Sequence, residues 1–174
     1  MGIQFETDYN METLTAMAKG LRKTVRKKRS RRVHIFSAVV LVLGLLTILA
    51  TTAGGEPLGA SGVVTLLAML VVILVSLFED KLNAWFARKR LLPGTEHAAA
   101  TFEEDGYVSA TGVTESRFSY AQIVAVAETA RYFVFALSSH HTQAYDKRTI
   151  RGGSAEDFRA FIAEKTGKLV KNIK

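Results

Sequence analysis

Residues 33–78 read VHIFSAVVLVLGLLTILATTAGGEPLGASGVVTLLAMLVVILVSLF, and their only Asp, Glu, Lys or Arg is Glu56. Two apolar runs of 21 residues, 33–53 and 58–78, flank the turn Gly54-Gly55-Glu56-Pro57. As α-helix each run spans roughly 31 Å at ~1.5 Å per residue, close to the ~30 Å hydrocarbon core of a bilayer. Backbone polar groups in lipid must pair internally, which makes helix the expected form. The short turn predicts an antiparallel transmembrane hairpin. The first run begins only at residue 33 and a second follows, so an anchor is expected rather than a cleaved leader.

The flanks orient this hairpin. The 174 residues carry 23 Lys+Arg and 16 Asp+Glu, a formal charge of +7, unevenly placed. Residues 1–32 hold nine bases and three acids, residues 79–92 four bases and two acids, and residues 93–174 ten of each. The basicity thus belongs to the segments beside the apolar runs, whereas the connecting turn has none. By the positive-inside rule both termini are expected in the cytoplasm. No Asp, Glu, Lys or Arg lies inside either run, and His34 sits at the edge of the first. Transport pathways usually need such groups inside the membrane, so the hairpin reads as an anchor. Small residues give each helix a face for close approach, namely Ser37, Gly44, Thr47 and Thr51 on the first and Ser61, Thr65, Ala68 and Ser76 on the second.

Upstream, Asn10 is a candidate N-cap for a helix over 11–29. Leu14, Met17, Ala18, Leu21 and Val25 follow its i, i+3, i+4, i+7 stripe. The basic residues around that stripe and beyond it are candidate contacts for anionic lipid: Lys19, Arg22, Lys23, Arg26, Lys27, Arg31 and Arg32. The same helix could instead pack on a soluble domain. No aromatic residue interrupts the basic run, so nucleic acid is not an expected partner. After the second run, Leu82, Trp85 and Phe86 among Lys81, Arg88 and Lys89 make an interfacial extension, closed by Pro93-Gly94.

From residue 95 the apolar period becomes strand-like. Strands are expected at 97–103, 107–111, 113–119, 123–128, 131–137 and 142–147, the first pair joined through Asp105-Gly106. Ser154 and Asp157 form a capping-box pattern opening a helix with Phe158, Phe161 and Ile162 inward, and Gly167 fits its C′ position. Ile3-Gln4-Phe5-Glu6-Thr7 alternates like one more strand that could join the sheet. The expected architecture is α+β: a basic N-terminal segment (1–32), a two-helix hairpin with its extension (33–92), and a small antiparallel β-domain capped by a helix (95–174).

Several short motifs lie in this last part: Thr101-Phe102-Glu103-Glu104-Asp105-Gly106, Tyr120-Ala121-Gln122-Ile123, Glu128-Thr129, Tyr132-Phe133-Val134-Phe135, Lys147-Arg148 and Phe158-Arg159-Ala160-Phe161-Ile162. With their order after a short strand and two spans, they resemble the YcxB-like family of bacterial membrane proteins. Many members have Pro before the Lys-Arg pair, where this chain has Asp146. The resemblance implies a pleckstrin-homology-like domain at the bacterial cytoplasmic membrane. It implies no activity and no catalytic residues.

The chain has no Cys and shows no metal, nucleophile or phosphate-loop motif. His140-His141 would point to opposite faces of a strand and reads as an exposed turn. Glu103-Glu104-Asp105 reads as turn chemistry. Lys147, Arg148 and Arg151 are a candidate contact for an acidic partner. No catalytic residue, cofactor or metal is therefore expected. The leading expectation is a membrane-anchored binding or scaffold protein, its partner a protein, a lipid or a second copy. The alternative is an accessory subunit of a transport or envelope-assembly complex, acting through the hairpin.

Overall fold

The computed structural model describes residues 2–55 and 57–173; Glu56 of the expected turn lies outside the described residues. The N-terminal alternation forms β1 (Ile3–Asp8), with Ile3, Phe5 and Thr7 buried and the residues between them exposed. Asn10 caps α1 (Met11–Lys23), its Oδ1 accepting from the N–H groups of Glu12 (2.9 Å) and Thr13 (3.0 Å).

α1 ends at Lys23 rather than Arg29. The Thr24 hydroxyl bonds back to the Gly20 carbonyl (2.6 Å), and the Arg26 N–H reaches the Leu21 carbonyl (2.9 Å). A side chain competing for the backbone this way disturbs the regular ladder. A new helix, α2 (Lys27–Ala53), starts after the break. The later basic residues therefore sit on the first turns of the apolar helix, not on an amphipathic one. α3 (Ala60–Leu77) runs back, and α4 (Glu79–Lys89) follows at once. α2 and α3 are long and apolar enough to cross a membrane, and neither contains a buried residue. At their contact a Cβ on Gly44 would lie 3.6 Å from Thr65 Cγ2, a pair from the two small-residue faces, and 2.8 Å from Sδ of Met69, which lies outside the expected face.

The remaining chain forms β2 (His97–Phe102), β3 (Tyr107–Thr111), β4 (Glu115–Phe118), β5 (Ala125–Glu128), β6 (Tyr132–Ala136), β7 (Thr142–Asp146), α5 (Ala155–Thr166) and β8 (Val170–Asn172). It makes two four-stranded sheets, β1-β2-β3-β4 and β7-β6-β5-β8, rather than one meander. The N-terminal strand joins a sheet, as its alternation allows, and one further strand follows the last helix. β1 pairs along all of β2 (Ile3 opposite Phe102, Asp8 opposite His97), so the β-domain is not confined to residues 95–174. β8 adds parallel to β5 after α5, placing Val170 opposite Val126. Three residues of edge strand carry too little alternation to be read from sequence.

The core between the sheets is aromatic. Phe5, Phe102, Tyr107, Phe133, Phe135, Tyr145 and Phe158 are all nearly inaccessible, with most ring pairs edge-on. α5 supplies Phe158 and Ile162, its Ser154–Asp157 capping box is formed, and Gly167 adopts the left-handed conformation. β6 is buried on both faces. Phe133 and Phe135 enter this core, whereas Tyr132 and Val134 form a second layer with Ala16 of α1. A continuous apolar run is what two covered faces demand.

Candidate functional site at the junction of helices and sheets

Arg22 near the end of α1 forms a bidentate pair with Asp80 in the first turn of α4 (Nε to Oδ1 2.7 Å, Nη2 to Oδ2 2.5 Å). Glu79 Oε2 lies 3.8 Å from Arg22 Nε and 3.9 Å from His34 Nε2 on α2. Ala84, the buried residue of α4, is fully enclosed. α1 and α4 are thus fastened side by side where the apolar helices begin and end. On its other side α1 lies on β6. A Cβ on Gly20 would come within 2.6 Å of Val134 Cγ1, and Thr13 Oγ1 donates to the Asp8 carbonyl (2.6 Å) and approaches the Tyr132 hydroxyl (3.2 Å). The amphipathic helix therefore packs on the soluble domain, the second of its two expected placements.

A cavity of about 690 Å³ lies between α1, α4, the foot of α2 and the β6–β7 turn. Its apolar lining comes from Leu14, Met17, Leu21, Val33 and Phe86, and its cations are Arg22, Arg26, Arg29 and Arg90. Arg22 is committed to Asp80. Arg26 fastens the β6–β7 turn, donating to the Ser139 carbonyl (2.6 Å) and lying 3.0 Å from His140 Nδ1. A guanidinium only donates, so this contact is a hydrogen bond only with Nδ1 as the acceptor. His140-His141 thus belongs to the wall of this cavity. Arg29 and Arg90 are exposed and form no ion pair among the described residues. Neither was singled out from sequence. The signals were there: Arg26, Arg29 and Val33 share one face of α2 at helical spacing, and Arg90 is a cation just past a helix C-terminus.

The other expected contacts separate into distinct places. Lys27, Arg31 and Arg32 are exposed around the first turns of α2. Lys19 lines a second cavity of about 530 Å³, together with Lys81, Ala16 and Tyr132. The Lys23 carbonyl accepts from Lys171 Nζ (2.5 Å). Lys147, Arg148 and Arg151 each reach a carboxylate. Lys147 Nζ donates to Glu128 Oε1 (2.7 Å), Arg148 Nη2 to Asp146 Oδ2 (2.9 Å), and Arg151 Nη2 lies 3.4 Å from Glu6 Oε1. Lys147 is enclosed, while Arg148 and Arg151 keep 64% and 69% of their side chains exposed, so only their outer faces are available to a partner. In the acidic turn, Glu103 pairs with Arg117 (2.9 Å) and Glu104 with Lys165.

Glu128 is the buried hub of this ion cluster. It also accepts from Arg159 of α5 through Nε (2.7 Å) and Nη2 (2.8 Å), and these bonds, with those from Lys147, hold its carboxyl below the ordinary glutamate value. Asp146 closes β7 by accepting from the Arg148 N–H (3.0 Å) and from Arg131 Nε (3.0 Å) and Nη2 (2.9 Å).

Residues 102–162, from the end of β2 into α5, match the model of the YcxB-like protein family, the family that the motif order resembles. The match covers about a third of the 174 residues and leaves out β1, α1 and both apolar helices. No curated protein and no solved structure matches the chain.

Proposed function

We propose that this chain is a membrane-anchored, non-catalytic binding or scaffold module of the bacterial cytoplasmic membrane. Its hairpin spans the bilayer, and both termini with the β-domain lie on the cytoplasmic side. One observation carries the reading. Between Val33 and Phe78, 21 large apolar side chains are exposed among the described residues. At roughly 80 Å² each and ~25 cal/mol per Å², keeping them in water costs on the order of 40 kcal/mol. That exceeds the ~5–15 kcal/mol stability of a typical domain, so a bilayer or an equally apolar cover is required. The basic residues concentrated at the feet of α2 and α4 support the orientation. Two four-stranded sheets with a C-terminal helix support the pleckstrin-homology-like reading of the domain.

The chain lacks Cys, which makes its topology directly measurable. Single variants Gly54→Cys and Asp105→Cys are exposed to a membrane-impermeant maleimide in intact spheroplasts and after lysis. Labelling of position 54 before lysis and of position 105 only after lysis is expected. The reverse pattern sinks the orientation. Release of the protein by alkaline carbonate without detergent sinks the anchoring.

A further inference from the structure

The larger cavity has a composition that restricts what can fill it. Arg26, Arg29 and Arg90 supply positive charge; Asp80 is bonded to Arg22, and the one carboxylate in the lining, Glu79, lies 3.8 Å from Arg22 with its Oε2 buried and without a hydrogen-bond partner among the described residues, so the cations outnumber it. Arg26 uses its Nε and Nη2 on the β6–β7 turn, which fixes its guanidinium in the wall. The foot of α2 adds to this field. Its cap, Arg26, makes no side-chain bond to the helix, and its first turn holds no acid. The positive end of that helix dipole is therefore compounded by Arg29 of the lining, an arrangement that favours an anion nearby.

Charge alone would suit any phosphate, but a free phosphate makes no use of the apolar side of the cavity. Met17 of α1, Phe86 of α4 and Val33 of α2 line it with the guanidiniums. Val33 is the first residue of the apolar run, so the cavity lies level with the edge of the hairpin. A ligand that satisfies both halves is anionic at one end and apolar at the other. Guanidinium forks match phosphate oxygens two at a time, which an ammonium cannot do.

We propose that the cavity between α1, α4 and the foot of α2 binds one anionic phospholipid, its phosphate on Arg29 and Arg90 and its glycerol and upper acyl chains on Met17, Phe86 and Val33. This rests on the membrane-anchored reading. The bound lipid would bridge the hairpin and the β-domain, because the same cavity wall includes the β6–β7 turn.

The test uses the full chain in detergent and compares phosphatidylglycerol with phosphatidylcholine by native mass spectrometry and by the shift in unfolding temperature. Two charge-matched pairs of variants are measured beside it. Arg29→Gln with Arg90→Gln removes the two free cavity guanidiniums. Lys28→Gln with Arg88→Gln removes two cations from the same helices outside the lining. The expected result is a preference for phosphatidylglycerol that falls at least ~10-fold in the first pair and stays within about twofold in the second. An equal fall in both pairs means diffuse attraction to a charged surface and overturns the site. Displacement of the lipid by glycerol phosphate or inorganic phosphate at similar concentrations overturns the lipid as ligand. A chain that resists carbonate extraction yet shows no preference sinks this site alone, whereas one that carbonate extracts sinks the anchoring beneath it.

Discussion

Glu128 is buried on β5 with two cations aimed at it, Lys147 from the turn after β7 and Arg159 from α5. A carboxylate so placed stabilises the fold only while ionised. Its folded-state carboxyl is held below the ordinary glutamate value, chiefly by Arg159. The unfolded chain therefore takes up the proton more readily than the folded one. The stabilisation is complete above the unfolded value and disappears as pH falls through the lowered one. Glu128→Gln is expected to cost about 2–4 kcal/mol at pH 7, since it strands both cations. That difference from the wild type should shrink as pH falls below ~4. Thermal unfolding of both proteins in detergent at pH 7 and pH 3.5 checks this, and an equal difference at the two pH values would exclude a contribution from the charge. The same cluster explains why the motif order was a sound guide to family and a poor guide to a site. Glu128, Lys147 and Arg159 come from three separate motifs and meet to hold strand, turn and helix together. Tyr120 does similar work, donating to the Glu103 and Gly106 carbonyls (2.6 and 3.0 Å) across the β2–β3 turn. Arg29 and Arg90 carry no motif; their signals are the helical spacing of Arg29 with Arg26 and Val33 and the place of Arg90 just past a helix C-terminus.

α1 is the element that couples the sheets to the hairpin. The stripe of Leu14, Met17, Ala18, Leu21 and Val25 is visible in the sequence, but it fits a bilayer surface or a protein face equally well, and Ala16, which packs with Tyr132 and Val134, lies outside it. What decided between them is Gly20, which lets α1 lie against Val134. A methyl there meets a β-branched side chain buried in a central strand, with no flexible end to yield. Gly20→Ala is expected to cost about 1–3 kcal/mol and to raise protease cleavage near residue 24. Unchanged stability and cleavage would mean that α1 is not seated on β6. The pair Arg22–Asp80 fastens the other side of α1, at 21% and 16% side-chain exposure. A double-mutant cycle with Arg22→Ala and Asp80→Ala should give a coupling of about 1–2 kcal/mol, since the contact is bidentate and largely shielded. A coupling near zero would make the pair incidental to the α1–α4 seam. The helix break at residues 24–26 had no legible cause in advance. It depends on the Thr24 back-bond and on α1 being held flat on the sheet while α2 leaves it.

At the scale of the whole molecule, the apolar hairpin is an insertion within the β-domain rather than a neighbour of it. β1 and α1 precede the hairpin, yet Phe5 is 1% exposed and touches Phe102, Phe133, Tyr145 and Phe158 in the core of the domain that follows. The strand alternation of residues 3–7 hinted at this, but a five-residue pattern cannot name its pairing partner; β2 and its aromatic ring do. Residues 95–174 alone would leave β2 as a bare edge and empty the Phe5 position. They would also uncover Tyr132 and Val134, which face α1. Losing one buried Phe costs ~3–5 kcal/mol, a large part of the ~5–15 kcal/mol a domain has, so this fragment is expected to be unfolded or aggregated. Excising residues 25–77 instead keeps every domain element. Arg22 and Asp80 meet through their side chains, so the cut ends lie on neighbouring helices, and a Gly/Ser linker of about twelve residues, with an average reach of roughly 19 Å, is long enough to join them. That shortened chain is expected to be soluble without detergent and to unfold cooperatively. Circular dichroism melting and size-exclusion chromatography of the two proteins side by side decide the matter. A fragment 95–174 that folds as stably as the excised chain would show that the N-terminal strand and helix merely rest on the domain. Failure of both chains would show that the apolar hairpin itself holds the domain together.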